Sequence, residues 1–199
     1  MPRLPRLLSL VVLVVDDHVD TAEMLQHVLI EAGAAPVIAT SGERALHLAS
    51  QVLPDVVIVD IAMPERDGFW FIREFNRLPK AQSVPSIALT GAPLDLLREN
   101  TKDAGFSRTL LKPVTPMGLC ATIAEVVAER ALAAELWASA LTLGDLVTNA
   151  AKEDWVGEVV DTARLGKAYV TVRWRTSSGM SLQPMEEDAR SLRRVRPGR

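Results

Sequence analysis

Hydrophobic residues along the first two thirds of the chain fall into two alternating kinds of segment. Short, unbroken apolar runs are typical of strands buried on both faces of a sheet. Between them lie longer segments whose apolar residues recur every three or four positions, as in amphipathic helices. The predicted strands are VVLVV, APVIAT, DVVIVD, VPSIALTG and FSRTLLKP. Strict alternation predicts an α/β fold, with five parallel strands, helices on both faces and right-handed crossovers.

Polar and chain-breaking residues predict where the helices begin and end. Asp20 is expected to cap the first helix, Thr40 with Glu43 to form a capping box for the second, and Asp67 to open the third. The predicted helices cover residues 21–32, 41–51, 67–78, 94–104 and 115–140. The last helix is longer than a helix needs to be to cover a sheet of this size.

The pattern changes near Leu143, where short β-like runs divided by Gly, Asp, Ser and Pro replace the helical period. Charge changes at the same point: residues 1–142 have 12 Lys+Arg and 17 Asp+Glu, whereas residues 143–199 have 10 and 8. We therefore expect an α/β domain over residues 1–130, a helical linker over 131–142 and a small all-β domain over 143–199.

The bulk composition favours a cytoplasmic protein that does not associate with membranes. The net charge of −3 provides no general attraction to nucleic acid, and a single cysteine, Cys120, excludes a disulfide within the chain. The apolar N-terminal stretch follows two arginines like a weak signal peptide. It lacks a small-residue cleavage site and is too short to cross a bilayer, so we expect it to form a buried first strand.

Polar side chains stand at the carboxyl ends of four predicted strands: Asp16 with Asp17, then Asp60, Thr90 and Lys112. Each alone is explained as a helix cap, a turn residue or a solvated charge, but ligands of open parallel sheets bind at these ends. Clustered carboxylates favour a hard divalent cation such as Mg²⁺. A lysine and a hydroxyl beside a metal are phosphate-binding groups, and one carboxylate could then form an aspartyl phosphate.

Four motifs in order, VVDDH, VVIVDIAMPERDG, IALTGA and LLKP, resemble the receiver domain of bacterial two-component response regulators over roughly residues 10–130. The resemblance implies a flavodoxin-like, CheY-like fold in which a sensor histidine kinase phosphorylates Asp60. It also implies that Asp17, Asp60 and the backbone carbonyl of Ala62 hold Mg²⁺, with Asp16 acting mainly through water.

The resemblance further implies that Thr90 binds the phosphoryl group, that Lys112 pairs with its oxygens, and that the Lys112–Pro113 bond is cis. The expected protein is a signalling phosphoacceptor and not an enzyme, with at most slow autodephosphorylation. Phosphatases of the haloacid dehalogenase class also use an aspartyl phosphate. They carry a second Asp two residues after the nucleophile, where this chain has Ala62.

Three residues depart from the family pattern. An aromatic switch residue often stands three positions before the lysine, where this chain has Thr109. An aromatic ring rotating inward is therefore not the signal, and the loop after Thr90 is expected to carry the change. The methyl groups of Ala62 and Ala92 can neither hold nor polarise a hydrolytic water, which leaves the lifetime of the phosphate open.

The C-terminal segment resembles small SH3-like or Tudor-like barrels, with a one-turn helix expected before LRRV. Trp155, Tyr169 and Trp174 are expected in its core. No helix-turn-helix pattern is present, so we expect a downstream protein partner. The tail RSLRRVRPGR has five arginines and is expected to be a solvated end. Binding to nucleic acid through the barrel and tail is the alternative.

The distal part of the last predicted helix keeps an apolar face formed by Leu132, Leu136, Trp137 and Leu141. An uncovered face of this kind favours burial by a partner. We expect a homodimer through this helix; the alternative is that the barrel folds back and covers the same residues.

Overall fold

The computed structural model describes residues 4–78, 81–93, 100–141, 143–149, 152, 155–162, 169–188 and 192–195. The chain divides into two compact units, residues 1–128 and 129–199. The division falls inside the helix Pro116–Ala140.

The first unit contains a five-stranded sheet in which every pairing is parallel. Its strands are β1 (Val11–Val15), β2 (Ala35–Ala39), β3 (Val56–Asp60), β4 (Ser86–Thr90) and β5 (Arg108–Leu111). Their order across the sheet is β2-β1-β3-β4-β5. The helices are α1 (Val19–Glu31), α2 (Gly42–Gln51), α3 (Gly68–Phe75) and α4 (Pro116–Ala140), with a 3-10 turn at Ala81–Ser83. The predicted five-stranded parallel α/β fold is confirmed.

Apolar clusters lie on both faces of this sheet, because successive strand residues point to opposite faces. Val57 and Val59 of β3 pack in one cluster with Phe71 of α3. Val56 and Ile58 pack in the other, which also contains residues of α1 and α4. The N-terminal apolar run is therefore a buried strand, as expected. Among the described residues, no helix has the length and hydropathy needed to cross a membrane.

Two helix caps differ from the prediction. Asp16 Oδ1 accepts a hydrogen bond from the backbone N–H of His18 at 2.9 Å, and α1 begins directly after His18, so Asp20 lies in its first turn and is not its cap. The cap of α2 is Ser41, whose Oγ accepts from Arg44 N at 3.2 Å, and not Thr40.

The third predicted cap, Asp67, is confirmed: its Oδ1 accepts from Trp70 N at 2.7 Å. Helix α3 ends at Phe75, earlier than the predicted Leu78. Residues 100–103 are helical, in agreement with the helix predicted over 94–104, whose residues 94–99 lie outside the described part of the chain.

The second unit contains an antiparallel sheet of five short strands, curled into a half-barrel consistent with the predicted SH3-like domain. The strands are β6 (Leu146–Asn149), β7 (Val156–Asp161), β8 (Tyr169–Arg175), β9 (Met185–Asp188) and β10 (Leu192–Arg194), in the order β10-β6-β7-β8-β9. Trp174 is fully buried in its core and Trp155 packs against that core, as predicted. The Tyr169 side chain lies outside the described set.

The segment Met185–Asp188 forms strand β9. That segment pairs with β8 in regular antiparallel register, so its backbone groups are satisfied by the sheet. The one-turn helix expected directly before LRRV falls on residues 189–191, which lie outside the described residues.

A buried polar group, the Glu187 cluster (Glu187, Lys152, Asn149 and Trp174), holds the curl of the half-barrel. Glu187 Oε1 accepts from Trp174 Nε1 at 2.8 Å and pairs with Lys152 Nζ, and Glu187 Oε2 accepts from Asn149 Nδ2 at 3.3 Å. Strands β7 and β8 separate β6 from β9 in the sheet, so the Asn149 bond crosses the open side of the curl. Side chains thus connect strands that no backbone ladder joins.

The apolar residues at the end of α4 do not share one environment. Leu141 is buried in the core of the second unit and Trp137 packs against that core, as the fold-back alternative requires. Leu132 and Leu136 are 57% and 62% exposed. The homodimer stays a prediction, and these two leucines are the more exposed part of the predicted face.

Candidate functional site

The five polar residues predicted at the strand ends meet at one edge of the parallel sheet. We call Asp16, Asp17, Asp60, Thr90 and Lys112 the acidic site. Asp16 and Asp17 follow β1, Asp60 and Thr90 are the last residues of β3 and β4, and Lys112 follows β5. The strand register aligns these ends, and Lys112 N donates to the carbonyl oxygen of Thr90 at 2.7 Å.

Lys112 joins two of the carboxylates. Its Nζ donates to Asp16 Oδ2 at 2.9 Å and to Asp60 Oδ2 at 2.7 Å. Both aspartate side chains are almost completely buried, whereas that of Lys112 is 26% exposed. Burial lowers the pKa of Lys112, but the hydrogen bonds and charges of Asp60 and Asp16 outweigh it, and the net direction is upward. Lys112 is therefore charged at neutral pH.

The other oxygens of the site accept backbone hydrogen bonds. Asp60 Oδ1 accepts from Ala62 N at 3.1 Å, which places Ala62 directly beside the predicted phosphoacceptor. Thr90 Oγ1 accepts from Ala92 N at 3.0 Å. These bonds fix the side-chain directions of Asp60 and Thr90 at the sheet edge. The Lys112–Pro113 peptide is cis, as the resemblance implied.

Charge and geometry at the acidic site fit a divalent cation. Asp16, Asp17, His18 and Asp60 each offer a ligand atom, and these atoms lie within 4.8 Å of one another. Three carboxylates face one ammonium group, so the site has more negative than positive charge. Oxygen-rich donor sets of this kind suit Mg²⁺, which is bound through one or two carboxylates together with water and phosphate oxygens.

Two residues of this region escaped the sequence reasoning. The Nδ1 atom of His18 lies 3.2 Å from Asp17 Oδ1 and 3.7 Å from Asp16 Oδ1. Gly68 lies against the end of β3: a Cβ built on it would stand 2.5 Å from the carbonyl oxygen of Asp60. The available signals were the position of His18 directly after the paired aspartates and the Asp-Gly step that opens α3.

The residue at the family's aromatic switch position, Thr109, makes a specific contact of its own. Its hydroxyl donates to Thr101 Oγ1 at 3.0 Å, and Thr101 is buried. Thr101 belongs to the helical residues 100–103, so this bond ties β5 to the segment that follows the Thr90 loop.

Buried thiol chemistry does not contribute to this site. Cys120, on α4, is a free, buried cysteine. Burial, assisted by the charge of Glu31, raises its pKa, so the thiol stays protonated near neutral pH.

Comparison with known proteins gives one consistent result. Residues 12–124 match the family described as the response regulator receiver domain. A probable transcriptional regulator, ycf27 of Guillardia theta, is 37% identical over 116 residues, which are 58% of this chain and 44% of that protein. The chain thus spans less than half the length of this relative.

Solved structures agree with this match. The chemotaxis protein CheY4 of Vibrio cholerae is similar with a TM-score of 0.58 and 30% identity, over 59% of this chain and 98% of that one. The receiver domain of the sensor histidine kinase PA1611 of Pseudomonas aeruginosa has a TM-score of 0.57 and 26% identity, over 60% and 98%. That structure has a magnesium ion coordinated in its active-site cleft.

Proposed function

The chain belongs to the response regulator receiver family, and we propose that it is a two-component signalling protein whose Asp60 accepts a phosphoryl group from a sensor histidine kinase in a Mg²⁺-dependent reaction. The observation that carries the proposal is the placement of Lys112 Nζ within hydrogen-bond distance of both Asp16 and Asp60, at a sheet edge with a third carboxylate. The proposal places the protein in the cytoplasm.

Asp60 is the nucleophile. One of its carboxylate oxygens attacks the phosphorus of a phosphohistidine, an O–P bond forms, and the P–N bond breaks with its electron pair moving to the imidazole nitrogen. The step transfers no proton to or from Asp60, so it needs no general base. Two carboxylates nearby oppose the approach of an anionic phosphoryl group, so the reaction requires additional positive charge.

Asp17, Asp60 and the carbonyl oxygen of Ala62 are proposed to hold Mg²⁺, with Asp16 acting through water. When bound there, Mg²⁺ would supply positive charge that offsets the negative charge of the carboxylates and of the incoming phosphoryl group. The Asp17 side chain is partly exposed, whereas that of Asp16 is almost completely buried and bonded to Lys112 and the His18 amide. This favours Asp17 over Asp16 as a direct ligand.

Lys112 and Thr90 are proposed to receive the phosphoryl oxygens once they are on Asp60. Phosphorylation adds about −1.5 to −2 charge. Lys112 is already bound to Asp60 and its side chain is partly exposed, so it can follow the new charge without crossing the site. The Thr90 hydroxyl, oriented by Ala92 N, lies on the adjacent strand end and can donate its proton to a phosphoryl oxygen.

The signal is proposed to leave the site through the loop that follows Thr90. A movement of Thr90 toward the phosphoryl group changes the start of that loop, and the Thr101–Thr109 bond holds the helical residues beyond it to β5. Hydrogen exchange should therefore differ between the two phosphorylation states over residues 90–105. An unchanged exchange rate there would contradict this route.

The half-barrel is proposed to be the output module, with a protein as its partner. The described part of the arginine-rich tail supports this choice over nucleic acid: Arg194 donates to Asp145 Oδ2 and to the carbonyl of Ala140, both at 2.6 Å. An arginine bound in this way is less available for a phosphate backbone. Salt-dependent retardation of DNA or RNA by the full chain would favour the nucleic-acid alternative.

The proposal is tested by labelling the full chain with a radioactive phosphohistidine donor in the presence and absence of Mg²⁺. We expect labelling that needs Mg²⁺, disappears in Asp60→Asn and weakens sharply in Asp17→Asn. Glu187→Gln, which alters a buried carboxylate of the other unit, should label like the wild-type protein. Labelling of Asp60→Asn at the wild-type rate would contradict the assignment of Asp60.

A further inference from the structure

His18 stands beside the acidic site, and neither the motif reasoning nor the proposed chemistry gives it a role. Its side chain is 68% exposed, but its backbone is fixed: Asp16 Oδ1 accepts from its N–H at 2.9 Å, and its carbonyl accepts the N–H of Ala22 at 3.0 Å. The ring therefore starts from a well-defined position at the beginning of α1.

The ring nitrogen nearest the site points at the carboxylates. Nδ1 of His18 lies 3.2 Å from Asp17 Oδ1. This contact is a hydrogen bond. Two neighbouring ligands of one octahedral cation at bond lengths of about 2.1 Å are separated by roughly 3 Å, so the same two atoms can bind a cation with little movement. All four candidate ligand atoms, including one from Asp60, fall within 4.8 Å of one another.

Lys112 and His18 engage different parts of the cluster. Lys112 donates hydrogen bonds to Asp16 and Asp60. The His18 ring instead forms its hydrogen bond with Asp17. A cation held between Asp17 and Asp60 can thus be reached by the imidazole while Lys112 keeps its own bonds. When Nδ1 binds a cation, the ring proton resides on Nε2.

The chemical type of the ligand atoms determines which cation would bind more tightly because of His18. Mg²⁺ is a hard ion that prefers oxygen and gives up its water reluctantly. Imidazole suits borderline first-row ions such as Co²⁺, Ni²⁺ and Zn²⁺. Building on the proposed metal site, we propose that His18 Nδ1 is a direct ligand that makes the acidic site bind Co²⁺-class divalent cations selectively over Mg²⁺, beyond what its carboxylates alone provide.

The test measures binding of CoCl₂ and of MgCl₂ to the tag-free full chain by isothermal titration calorimetry. Asn is the replacement because it is polar and is favoured at the position that starts a helix. In His18→Asn we expect Co²⁺ affinity to fall by at least about tenfold, as for loss of a metal-supporting group, with Mg²⁺ affinity nearly unchanged. His27→Asn is the matched control, since His27 is an exposed histidine of α1 that bonds to Glu23 O.

A fall in Co²⁺ affinity no larger than that of His27→Asn, with Asp17→Asn still losing both metals, would overturn the role of His18 and leave the proposed function standing. Wild-type protein that binds Co²⁺ through His18 but takes no phosphoryl group on Asp60 in Mg²⁺ would support the ligand and contradict the proposed function. If His18→Asn lowered the affinities for Co²⁺ and Mg²⁺ by the same factor, the inference would also be overturned, because it states that His18 favours Co²⁺ over Mg²⁺.

Discussion

Each unit of this protein pairs a partly exposed lysine with a buried carboxylate, but the two arrangements differ in charge balance. In the Glu187 cluster one carboxylate meets one lysine, and the neutral donors Asn149 and Trp174 also bind it. In the acidic site Lys112 faces Asp16, Asp60 and the neighbouring Asp17. In a one-to-one pair the carboxylate charge is neutralised within the fold. Where carboxylates outnumber lysines, further positive charge is needed to neutralise them.

The difference also lies in what the surrounding backbone does. The acidic site stands where four parallel strands end, so nothing of the sheet continues beyond it. The Glu187 cluster stands inside a curled antiparallel sheet and bridges strands that are not neighbours. We therefore interpret the acidic site as a reactive site and the Glu187 cluster as a structural element that stabilises the half-barrel. The experiments below test that distinction.

Removing the carboxylate of the balanced cluster should have the largest effect on stability. Glu187→Ala leaves Lys152, Asn149 and the Trp174 indole without their shared acceptor, and we expect the half-barrel to lose about 3–5 kcal/mol. Tryptophan fluorescence during urea unfolding reports mainly on this unit, which contains Trp137, Trp155 and Trp174. Glu186→Ala, at an exposed neighbouring position, is the control. An equal loss of stability in Glu187→Ala and Glu186→Ala would contradict the structural role of Glu187.

Removing the lysine should distinguish the two arrangements directly. Lys112→Met is expected to destabilise the first unit by about 1–3 kcal/mol, less than full burial would give because the side chain is partly exposed. Millimolar Mg²⁺ should restore much of this loss, since a cation that binds only the folded state stabilises it. Lys152→Met should lose stability that Mg²⁺ does not restore. Thermal unfolding with and without Mg²⁺ measures both; rescue of both variants would remove the distinction.

The same lysine predicts a pH dependence. The pKa of Lys112 is raised in the folded protein, so its stabilising contribution is complete below the pKa of an unfolded lysine and disappears as pH rises through the folded pKa. The stability difference between wild type and Lys112→Met should therefore be constant at neutral pH and shrink above about pH 10.4. Urea unfolding at a series of pH values provides the measurement. A difference that grows at alkaline pH contradicts the direction.

Two glycines, one in each unit, allow the same backbone substitution to be compared near the acidic site and in the half-barrel. A Cβ at Gly68 would meet the Asp60 carbonyl oxygen at 2.5 Å, and one at Gly157 would meet Val172 Cγ1 at 2.3 Å. Both alanine variants should lose about 1–3 kcal/mol through overpacking. Only Gly68→Ala should also slow phosphoryl transfer to Asp60, which rate measurements on both variants can establish. Equal slowing in Gly157→Ala would show that the effect is a general loss of stability.

The smallest expected effect belongs to the Thr101–Thr109 hydroxyl pair. Thr109→Val keeps the shape of the side chain and removes one hydrogen bond, worth about 0.5–1.5 kcal/mol. Its larger consequence should be a reduced difference in hydrogen exchange between phosphorylated and unphosphorylated protein over residues 90–105. Thr109→Ser, which retains the hydroxyl, should behave more like wild type. Identical exchange differences in all three proteins would exclude the pair from the signal route.

Much of the first unit could be predicted from sequence because its determinants are local or set by parallel-sheet geometry. Apolar runs predict the strands, and the rule that parallel strands end at one edge predicts that Asp16, Asp60 and Lys112 lie together. Thr40 and Ser41 are both suitable N-cap residues for α2, and the structure uses Ser41. The placement of His18 beside the carboxylates was not predicted, because it depends on the turn in which Asp16 accepts from the His18 N–H.

The second unit was predicted less completely because its key contacts are not local. Glu187 and Asn149 are brought together only by the curl of the whole sheet, which no short sequence pattern encodes. Strand β9, Met185–Asp188, is mostly charged, so its pairing with β8 depends on tertiary context that its own sequence does not predict.

The central claim is that Asp60 is the phosphoacceptor, and chemical mapping tests it most directly. The full chain is incubated with acetyl phosphate and Mg²⁺ and then treated with borohydride, which reduces an acyl phosphate and converts a phosphorylated aspartate to homoserine. Peptide mass spectrometry then locates the converted residue. We predict conversion at Asp60, dependent on Mg²⁺ and absent in Asp60→Asn. Conversion at Asp16 or Asp17 in place of Asp60, or no conversion in the wild-type protein, would contradict the account.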